Sequence, residues 1–305
     1  MQKRDRRQRD LARSKVETLT EALPWISQMS GKTFVIKYGG SAMEDDDLCR
    51  QVVSDIELLK LMGIRVVLVH GGGKAINSLL TDLNLPVSFK DGLRVTDDAT
   101  MEVVQEVLVG RVNQHLVWAL NEFGHNAVGI SGADGKTLQA EPADPELGRV
   151  GRIREVSCEL IETVLEDGYT PVVASVGCGA DGFYNVNADA AAGKIAEAMN
   201  ADKLIYLTDV DGLYRDVCDE DSLVANLTRS ETHELLASDS LDGGMIPKVR
   251  SIADALDSGV REVVIVNGTF PHALLLEIYT DAGCGTLFTQ DEPGPSGSLE
   301  RSSNV

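Results

Sequence analysis

A lysine and two glycines, Lys37, Gly39 and Gly40, are the residues of this chain best suited to chemistry. They follow an apolar, β-branched run at residues 33–36, which predicts a buried strand, and they precede helical apolar spacing over residues 45–62. Glycines at such a junction expose backbone N–H groups, and a helix end adds partial positive charge. The arrangement predicts a phosphate-binding site with the lysine as its cation; the alternative is a surface lysine beside an ordinary turn.

A second strand and glycine turn repeat this arrangement. Residues 65–70 predict another strand, which runs into Gly71, Gly72 and Gly73, and residues 74–80 predict a short helix. The carboxyl ends of parallel strands share one edge of a sheet, and ligands of open α/β folds bind at that edge. The two glycine turns are therefore expected to open on the same edge, where a ligand binds.

The composition is that of an ordinary globular enzyme, with 305 residues, 43% of them hydrophobic and 25% charged. This length suffices for one large α/β unit or for two lobes. A formal net charge of −20 argues against nucleic acids and anionic membranes as general partners. An anionic ligand would need locally concentrated positive charge, for which Lys37, Arg94 and Lys248 stand out. No stretch approaches the roughly 18 apolar residues of a membrane span.

The first fifteen residues carry seven Lys or Arg against two Asp, but they lack the apolar segment of a secretory signal and fit a transit peptide poorly. Apolar residues then recur at helical spacing from Leu11 to Ile26, which predicts an amphipathic helix ahead of the first strand. This helix packs either on its own chain or on a partner subunit. Five scattered cysteines without a CxxC pair predict reduced thiols and a cytoplasmic protein.

Strands and helices alternate along the remaining chain, which predicts an α/β fold with a mostly parallel sheet. Residues 99–123 predict one long amphipathic helix, and residues 131–154 are turn-rich without a clear pattern. Arg94 follows a predicted hairpin turn at Asp91 and Gly92 and lies between apolar neighbours, so its side chain faces either solvent or a cleft.

Two further motifs have competing interpretations. Residues 177–182 match the GxGxxG fingerprint of dinucleotide sites, but that fingerprint requires a helix that opens inside the glycines. Residues 183–187 alternate like a strand instead, which leaves a dinucleotide-binding oxidoreductase as an unfavoured alternative. Asp209 and Asp211 follow a predicted strand at 203–208 and either hold a metal ion or cap a turn.

Six motifs, taken in order, resemble those of the amino acid kinase family, and the resemblance extends from about Thr33 to Thr289. Each motif alone is weak, but six in register are specific. One departure is Lys74, where many members carry proline; it opens a helix, so we expect little effect. The six motifs are residues 37–40 (KYGG), 70–73 (HGGG), 92–96 (GLRVT), 185–189 (NVNAD), 208–212 (TDVDG) and 243–248 (GGMIPK).

The resemblance implies the family's fold, a three-layer αβα sandwich around a central, mostly parallel sheet, here preceded by the N-terminal helix. It also implies four regions along the chain. These are an oligomerisation helix at 1–30, a lobe for the acyl amino acid at 31–197, a lobe for ATP at 198–290 and a disordered tail at 291–305.

The implied activity is transfer of the ATP γ-phosphoryl group to the side-chain carboxylate of N-acetyl-L-glutamate, the second step of arginine biosynthesis. Mg²⁺ is expected on the nucleotide, and no metal site of the protein itself is expected. A kinase for an aminoadipate derivative, one methylene longer, is the nearest alternative within the family. A non-catalytic amino-acid sensor is a further alternative.

By the family pattern, Lys37 and Lys248 flank the transferring phosphoryl group and Asp189 aligns the two lysines. Such a transfer requires positioning and charge neutralisation more than a base, since a carboxylate is already nucleophilic. The phosphate is cradled by Gly39 and Gly40. The substrate is bound by Gly72, Gly73, Asn185 and Arg94, whose guanidinium suits a carboxylate. The nucleotide pocket is lined by Thr208, Asp209, Val210, Asp211, Gly212 and Leu213.

Two features resemble the arginine-inhibited, hexameric branch of the family, in which N-terminal helices interlace pairs of dimers. The first is the predicted helix over residues 11–26, and the second is the segment that begins at His272. The resemblance implies a homohexamer built as a trimer of dimers, and an L-arginine site at His272, Glu277 and Gly283. The alternative is that His272 caps a helix and Glu277 is solvated.

Overall fold

The computed structural model describes residues 22–40, 45–122, 126–216, 222–238, 245–280 and 283–291, together with Arg13, Val16, Thr20, Met43, Gly124, Asp219 and Leu241. All of the predicted tail at 291–305 except Asp291 lies outside these residues, as do Gly243 and Gly244 of the last motif.

Strands and helices alternate as predicted. The strands in the described part of the chain are β1 Thr33–Tyr38, β2 Arg65–His70, β3 Phe89–Lys90, β4 Leu93–Arg94, β5 Ala127–Ser131, β6 Leu138–Pro142, β7 Val150–Val156, β8 Thr170–Ala174, β9 Val176–Gly179, β10 Gly182–Val186, β11 Lys203–Thr208, β12 Asn226–Thr228, β13 Glu262–Asn267 and β14 Thr286–Thr289. The helices are α1 at residues 22–29, α2 Asp46–Leu61, α3 Gly73–Asp82, α4 Asp98–Gln105, α5 Asn113–Glu122, α6 Glu159–Glu166, α7 Ala188–Ala198, α8 Arg229–Ala237, α9 Ile246–Asp257 and α10 Ala273–Tyr279.

Eight strands form one sheet in the order β12-β14-β13-β11-β1-β2-β8-β5. Neighbouring strands are parallel except β13 and β14. The inner strands are nearly continuous apolar runs and are almost fully buried, as expected of parallel strands that are covered on both faces. One face packs on α2, α5 and α10, through residues such as Ile56 and Leu274. The other packs on α6, α7 and α9, through residues such as Ile195 and Ile252. The three-layer sandwich is therefore confirmed.

A second group of strands corrects one prediction and confirms another, the strand over residues 183–187. The turn-rich segment 131–154 contains β6 and most of β7, and these strands form a closed four-stranded ring with β9 and β10. These strands mix buried, half-buried and exposed positions, so their sequences lack the continuous apolar run that predicts a buried strand. The GxGxxG match at 177–182 is the turn of the antiparallel β9–β10 hairpin, not the start of a helix. The dinucleotide-binding alternative therefore has no structural basis.

The predicted single helix over 99–123 is interrupted. A π-helix, Glu106–Val112, lies between α4 and α5. The N–H of Asn113 bonds to the carbonyl of Leu108, five residues back, instead of four. The buried positions shift accordingly, because Leu108 and Asn113 are both buried while Val112 is only half-buried. The extra residue turns Asn113, a polar side chain, toward the sheet.

The start of α2 also differs from its predicted role. The helix begins at Asp46, and the Asp45 carboxylate accepts the N–H groups of Asp47 and Leu48. Asp46 and Asp47 add negative charge to the first turn. These carboxylates occupy and neutralise the positive end of the helix, so α2 does not offer an anion site to the turn at Gly39 and Gly40.

The predicted N-terminal helix is present. Arg13, Val16 and Thr20 are helical, like residues 22–29, and the Thr20 hydroxyl donates to the Val16 carbonyl at 2.8 Å. Val16 and Leu23 expose 61% and 58% of their surface, although both are apolar. Leu11 and Leu19, which belong to the predicted pattern, lie outside the described residues.

Within the described ranges, no helix has both the length and the apolar character that a membrane crossing needs. The four cysteines that the structure describes form no disulfide.

Candidate active site

The two glycine turns open on one edge of the sheet, as predicted. Tyr38 and His70 pair at the ends of the parallel strands β1 and β2, so the residues that follow them are neighbours. These following residues, the glycines 39–40 and 71–73, together line a cleft of about 250 Å³. The cleft also contains Lys37, Arg94 and Asp189. Residues that are far apart in the sequence therefore meet where the sheet ends.

Two lysines share one carboxylate in this cleft. Lys37 Nζ lies 2.9 Å from Asp189 Oδ1, and Lys248 Nζ lies 3.0 Å from Asp189 Oδ2. The three side chains come from β1 and from the first turns of α7 and α9. The side chain of Asn187 caps α7 by accepting the N–H groups of Asp189 and Ala190, which fixes Asp189 in the first turn.

This triad carries one surplus positive charge. Burial raises the pKa of the Asp189 carboxyl, but the charges of Lys37 and Lys248 outweigh burial and bring the pKa to about 2. Burial lowers the pKa of Lys248, although Asp189 partly compensates. The carboxylate is thus ionised at neutral pH and holds the two ammonium groups together. Lys37 lines the cleft and Lys248 does not, so an anion in the cleft would meet the Lys37 ammonium group first, with that of Lys248 on the other oxygen of the same carboxylate.

Arg94 faces the cleft and not the solvent. Its residue exposure is 7%, and its Nη2 donates to the Gly73 carbonyl at 3.1 Å and to Asn77 Oδ1 at 2.6 Å. Its Nη1 is buried without a hydrogen-bond partner among the described residues. Burial lowers the pKa of this guanidinium, which nevertheless stays charged because an arginine side chain is not deprotonated in proteins. A buried donor that lacks a partner suits an anionic oxygen of a ligand.

Asn185 lies beside Arg94 in the cleft. Its Nδ2 donates to the Thr96 hydroxyl at 3.1 Å, and that hydroxyl donates to the Arg94 carbonyl at 2.9 Å. Sequence reasoning missed the supporting residues Thr96 and Asn77. The only local signal for Asn77 is its place four residues after Gly73, on the same face of α3.

Two helix starts supply the partial positive charge that α2 does not. Neither α3, which begins at Gly73, nor α9, which begins at Ile246, has a side-chain cap or an acidic residue in its first turn. Gly73 lies in the cleft, and Lys248 lies in the first turn of α9. Uncapped N–H groups at a helix start favour bound anions.

The predicted nucleotide loop, residues 208–213, adjoins the glycine turn at Gly40, whose backbone approaches Asp209. Asp211 accepts hydrogen bonds from Asn267 Nδ2 and the Tyr214 hydroxyl, both at 2.8 Å, and these bonds lower the pKa of its carboxyl. Asp211 thus ties the loop together, which supports the turn interpretation. Leu213 N–H donates to the Thr286 hydroxyl at 2.9 Å. The described residues contain no cluster of three or more His, Cys, Asp or Glu side chains that could hold a metal.

The predicted arginine-site residues lie around α10. His272 has a left-handed backbone conformation with φ 57° at the start of this helix, and its Nδ1 contacts Asp55 Oδ1 at 2.7 Å. Glu277 is only 2% exposed, and its Oε2 accepts the N–H groups of Cys284 and Gly285. The alternative of a solvated Glu277 is therefore wrong. Gly283 N–H donates to the Thr280 hydroxyl at 3.2 Å.

A buried histidine stands behind the second glycine turn. His70 Nδ1 lies 2.9 Å from the Gly71 carbonyl oxygen, and its Nε2 lies 3.0 Å from Asn113 Nδ2. Burial lowers the pKa of His70 to about 4. The ring is therefore neutral at physiological pH, with one nitrogen as donor and the other as acceptor.

Comparison with known proteins identifies the family to which this chain belongs. Residues 32–267 match the model of the amino acid kinase family. The acetylglutamate kinase of Thermoanaerobacter pseudethanolicus is 48% identical over 281 residues, which are 91% of this chain and 94% of the relative. The acetylglutamate kinase of a Nostoc species is also 48% identical, over 90% of this chain and 93% of the relative.

Solved structures share the fold. An N-acetylglutamate synthase of Neisseria gonorrhoeae, in complex with coenzyme A and N-acetyl-glutamate, is 28% identical with a TM-score of 0.81. The match covers 91% of this chain but 64% of the synthase chain. A carbamate kinase of Giardia lamblia bound to AMP-PNP is 20% identical with a TM-score of 0.63, over 86% of this chain and all of the relative, and this likeness shows the fold alone.

The neutral, buried His70 predicts an acid-dependent stability. The pKa of this ring falls from an ordinary 6.5 to about 4 in the fold. The unfolded chain therefore binds the extra proton between these pH values, and the free energy of unfolding should fall by about 3 kcal/mol as pH drops through this window. Urea unfolding of the wild type and of His70→Asn at several pH values isolates the contribution. Parallel stability curves for the two proteins would contradict a neutral His70.

Proposed function

This chain belongs to the acetylglutamate kinases of the amino acid kinase family, and we propose that its glycine-lined cleft is where N-acetyl-L-glutamate is phosphorylated. The enzyme serves arginine biosynthesis and transfers a phosphoryl group to a carboxylate. The observation that carries the proposed site is the pair of lysines on Asp189, beside two turns of glycines.

The proposed reaction needs no base. The side-chain carboxylate of the substrate attacks the γ-phosphorus of ATP, the bond from that phosphorus to the bridging oxygen breaks, and ADP leaves. Negative charge on the transferring group is met by the ammonium groups of Lys37 and Lys248, which Asp189 holds at 2.9 and 3.0 Å. Their surplus charge is worth more here than in water because the site is nearly buried. The amide groups of Gly39 and Gly40 would cradle the phosphate.

The substrate would lie between the second glycine turn and Arg94. The unpaired Nη1 of Arg94 supports a contact with the α-carboxylate. Asn185 Nδ2 already donates to Thr96, so its amide has a fixed orientation toward a substrate group. Gly72 and Gly73 would offer amide groups to the reacting end. An aminoadipate derivative, which is one methylene longer, is the nearest alternative substrate, and assays should compare it with N-acetylglutamate.

ATP would lie along Thr208, Asp209, Val210, Asp211, Gly212 and Leu213, which adjoin the phosphate cradle at Gly40. Mg²⁺ would arrive on the nucleotide phosphates, where it neutralises charge.

We assign the acyl substrate to residues 31–197 and the nucleotide to residues 198–290. Lys37 and Asp189 come from the first region and Lys248 from the second, so the reacting groups would meet at their border. A cytoplasmic location fits the cysteines, which form no disulfide in the described residues.

Arginine feedback and a hexamer complete the proposal. The exposed Val16 and Leu23 on the N-terminal helix would pack on a partner subunit, which would remove their apolar surface from water. The Neisseria gonorrhoeae synthase, 25% identical with a TM-score of 0.76, has been solved in complex with coenzyme A and L-arginine. The buried carboxylate of Glu277 would take the guanidinium of arginine, with His272 and Gly283 beside it.

Replacing either lysine by methionine tests the reaction centre. Lys37→Met and Lys248→Met keep the length of the side chain but remove the charge, so kcat should fall by about 10²–10³ while the fold is retained. ADP release measures kcat, and circular dichroism checks the fold. Normal turnover in either variant would remove its catalytic role.

Arg94→Lys separates substrate binding from nucleotide binding. Lysine keeps the charge but loses the planar fork, so the KM for N-acetylglutamate should rise at least tenfold with little change for ATP. Steady-state kinetics with each substrate varied in turn gives both values. Equal increases for the two substrates would place Arg94 outside the substrate site.

Deleting residues 1–26 tests the regulatory proposal. Arginine is expected to favour a hexamer geometry that weakens substrate binding, and the truncated chain should be a dimer that arginine no longer inhibits. Light scattering gives the assembly, and ADP release with millimolar arginine gives the inhibition. A full-length dimer that arginine leaves unchanged would contradict the regulation but not the kinase activity.

A further inference from the structure

Asn113 is a buried polar residue outside the family motifs of this chain, and it touches three strands of the sheet. Its Nδ2 lies 2.8 Å from the Val172 carbonyl on β8 and 3.0 Å from His70 Nε2 at the end of β2. Its Oδ1 packs so closely on Gly129 of β5 that a Cβ there would come within 2.0 Å. The amide is therefore fixed from three sides.

These contacts determine the protonation of His70. A carbonyl can only accept, so the atom of Asn113 that faces Val172 must be the NH₂ group. The same NH₂ group faces His70 Nε2, which must then be the acceptor. The ring proton of a neutral imidazole consequently resides on Nδ1, and this N–H donates to the Gly71 carbonyl at 2.9 Å.

The Gly71 carbonyl sets the direction of the next amide. The described chain contains no cis peptide bond, and in a trans peptide the carbonyl and the following N–H point to opposite sides. Because the carbonyl of Gly71 is turned inward to His70, the N–H of Gly72 is turned outward to the cleft, which Gly72 lines.

The π-helix supports the turn at Gly72 in two ways, through Asn113 and through its own side chains. Its extra residue rotates Asn113 inward. Its side chains Leu108 and Val112 also lie against Gly72, where a Cβ would come within 2.8 and 3.2 Å of them. Gly72 is thus held by packing on one side and through its neighbouring peptide on the other. π-helical turns inside α-helices are frequent at functional sites.

We propose that His70 and Asn113 are positioning residues, which act through the Gly71 carbonyl to aim the Gly72 N–H at the substrate carboxylate that receives the phosphoryl group. Neither side chain touches the substrate in this proposal. Their effect is to fix one amide donor before the reaction starts, so that the donor need not reorient as charge develops. The inference rests on the proposed role of the cleft.

Two substitutions of His70 form a matched pair. In His70→Asn, the amide nitrogen takes the place of Nδ1 and still donates to Gly71. In His70→Gln, the amide instead reaches the place of Nε2, next to Asn113, and the donation to Gly71 is lost. Both variants remove the ring from the same buried site, so a merely structural role would affect them similarly.

The glutamine variant should have a kcat about 10- to 100-fold lower than the asparagine variant, since a misplaced donor or a 1 Å displacement costs this order of rate. The KM for ATP should differ by less than about twofold between the two variants, because the nucleotide loop is elsewhere. Thermal unfolding of both variants checks that they are folded. An equal fall in kcat for the pair, or a change confined to the KM for ATP, would overturn the proposal.

The wild-type protein gives a test that does not depend on a variant. In ¹⁵N-histidine-labelled enzyme at neutral pH, nitrogen shifts should show His70 with the proton on Nδ1 and a bare Nε2. A proton on Nε2 would overturn the proposal. Asn113→Asp replaces the donor by an acceptor, so Nε2 should become protonated. If Nδ1 then loses its proton, kcat should fall by a factor similar to that of His70→Gln; if the ring keeps both protons, kcat should stay near that of the wild type. A bare Nδ1 with wild-type kcat, or a doubly protonated ring with the kcat of His70→Gln, would also overturn the proposal.

Lys37→Met separates this inference from the proposed site. If Lys37→Met keeps its turnover, the cleft is not the reaction centre and the positioning proposal falls with it. If Lys37→Met is inactive while the two His70 variants have equal kcat, only the positioning proposal fails.

Discussion

Two buried ammonium groups at one point of a protein require a counter-charge, and Asp189 supplies it. Burial raises the pKa of its carboxyl, yet the two lysines bring that pKa to about 2, so the negative charge is kept. The two ammonium groups bind different oxygens of this carboxylate, Lys37 at Oδ1 and Lys248 at Oδ2. The end of β1 and the first turns of α7 and α9 must therefore meet within the width of one carboxyl group.

The sheet order makes that meeting possible. β1 lies between β2 and β11, so its carboxyl end is central and is flanked by the ends of two parallel neighbours. The β10 strand ends at Val186, and Asn187 then caps α7, which puts Asp189 over the end of β1. The first turn of α9, which has no side-chain cap, brings Lys248 to the same carboxylate. The order of the strands and the placement of the helix starts are therefore what bring the three charged side chains together.

The parts that the sequence predicted are those that local rules determine. Apolar β-branched runs followed by glycines identified β1, β2 and the shared edge, because strand and turn signals lie within a few residues. The sequence does not decide whether Arg94 faces solvent or the cleft, because its burial depends on Gly73 and Asn77, which lie in another element. The sequence predicts a plain helix where the π-helix lies, since the five-residue interval before Asn113 is visible only once its partners on the sheet are known. The prediction of positive charge at the start of α2 is wrong because Asp45 lies outside the helix as its cap, a role that the apolar spacing of residues 45–62 does not reveal.

The overall charge explains why so much of the site is buried. A chain with a formal charge of −20 repels an anionic nucleotide and an anionic amino acid at long range, although salt screens this repulsion beyond about 8–10 Å. Attraction must therefore act at short range, where Lys37, Lys248 and Arg94 are nearly buried and weakly screened. Short-range attraction falls off quickly when a donor is displaced, so a site of this kind depends on the rigidity of its surroundings. The glycine turns have no side chains of their own to hold them, and the structure provides that rigidity from behind, through His70, Asn113 and the π-helix.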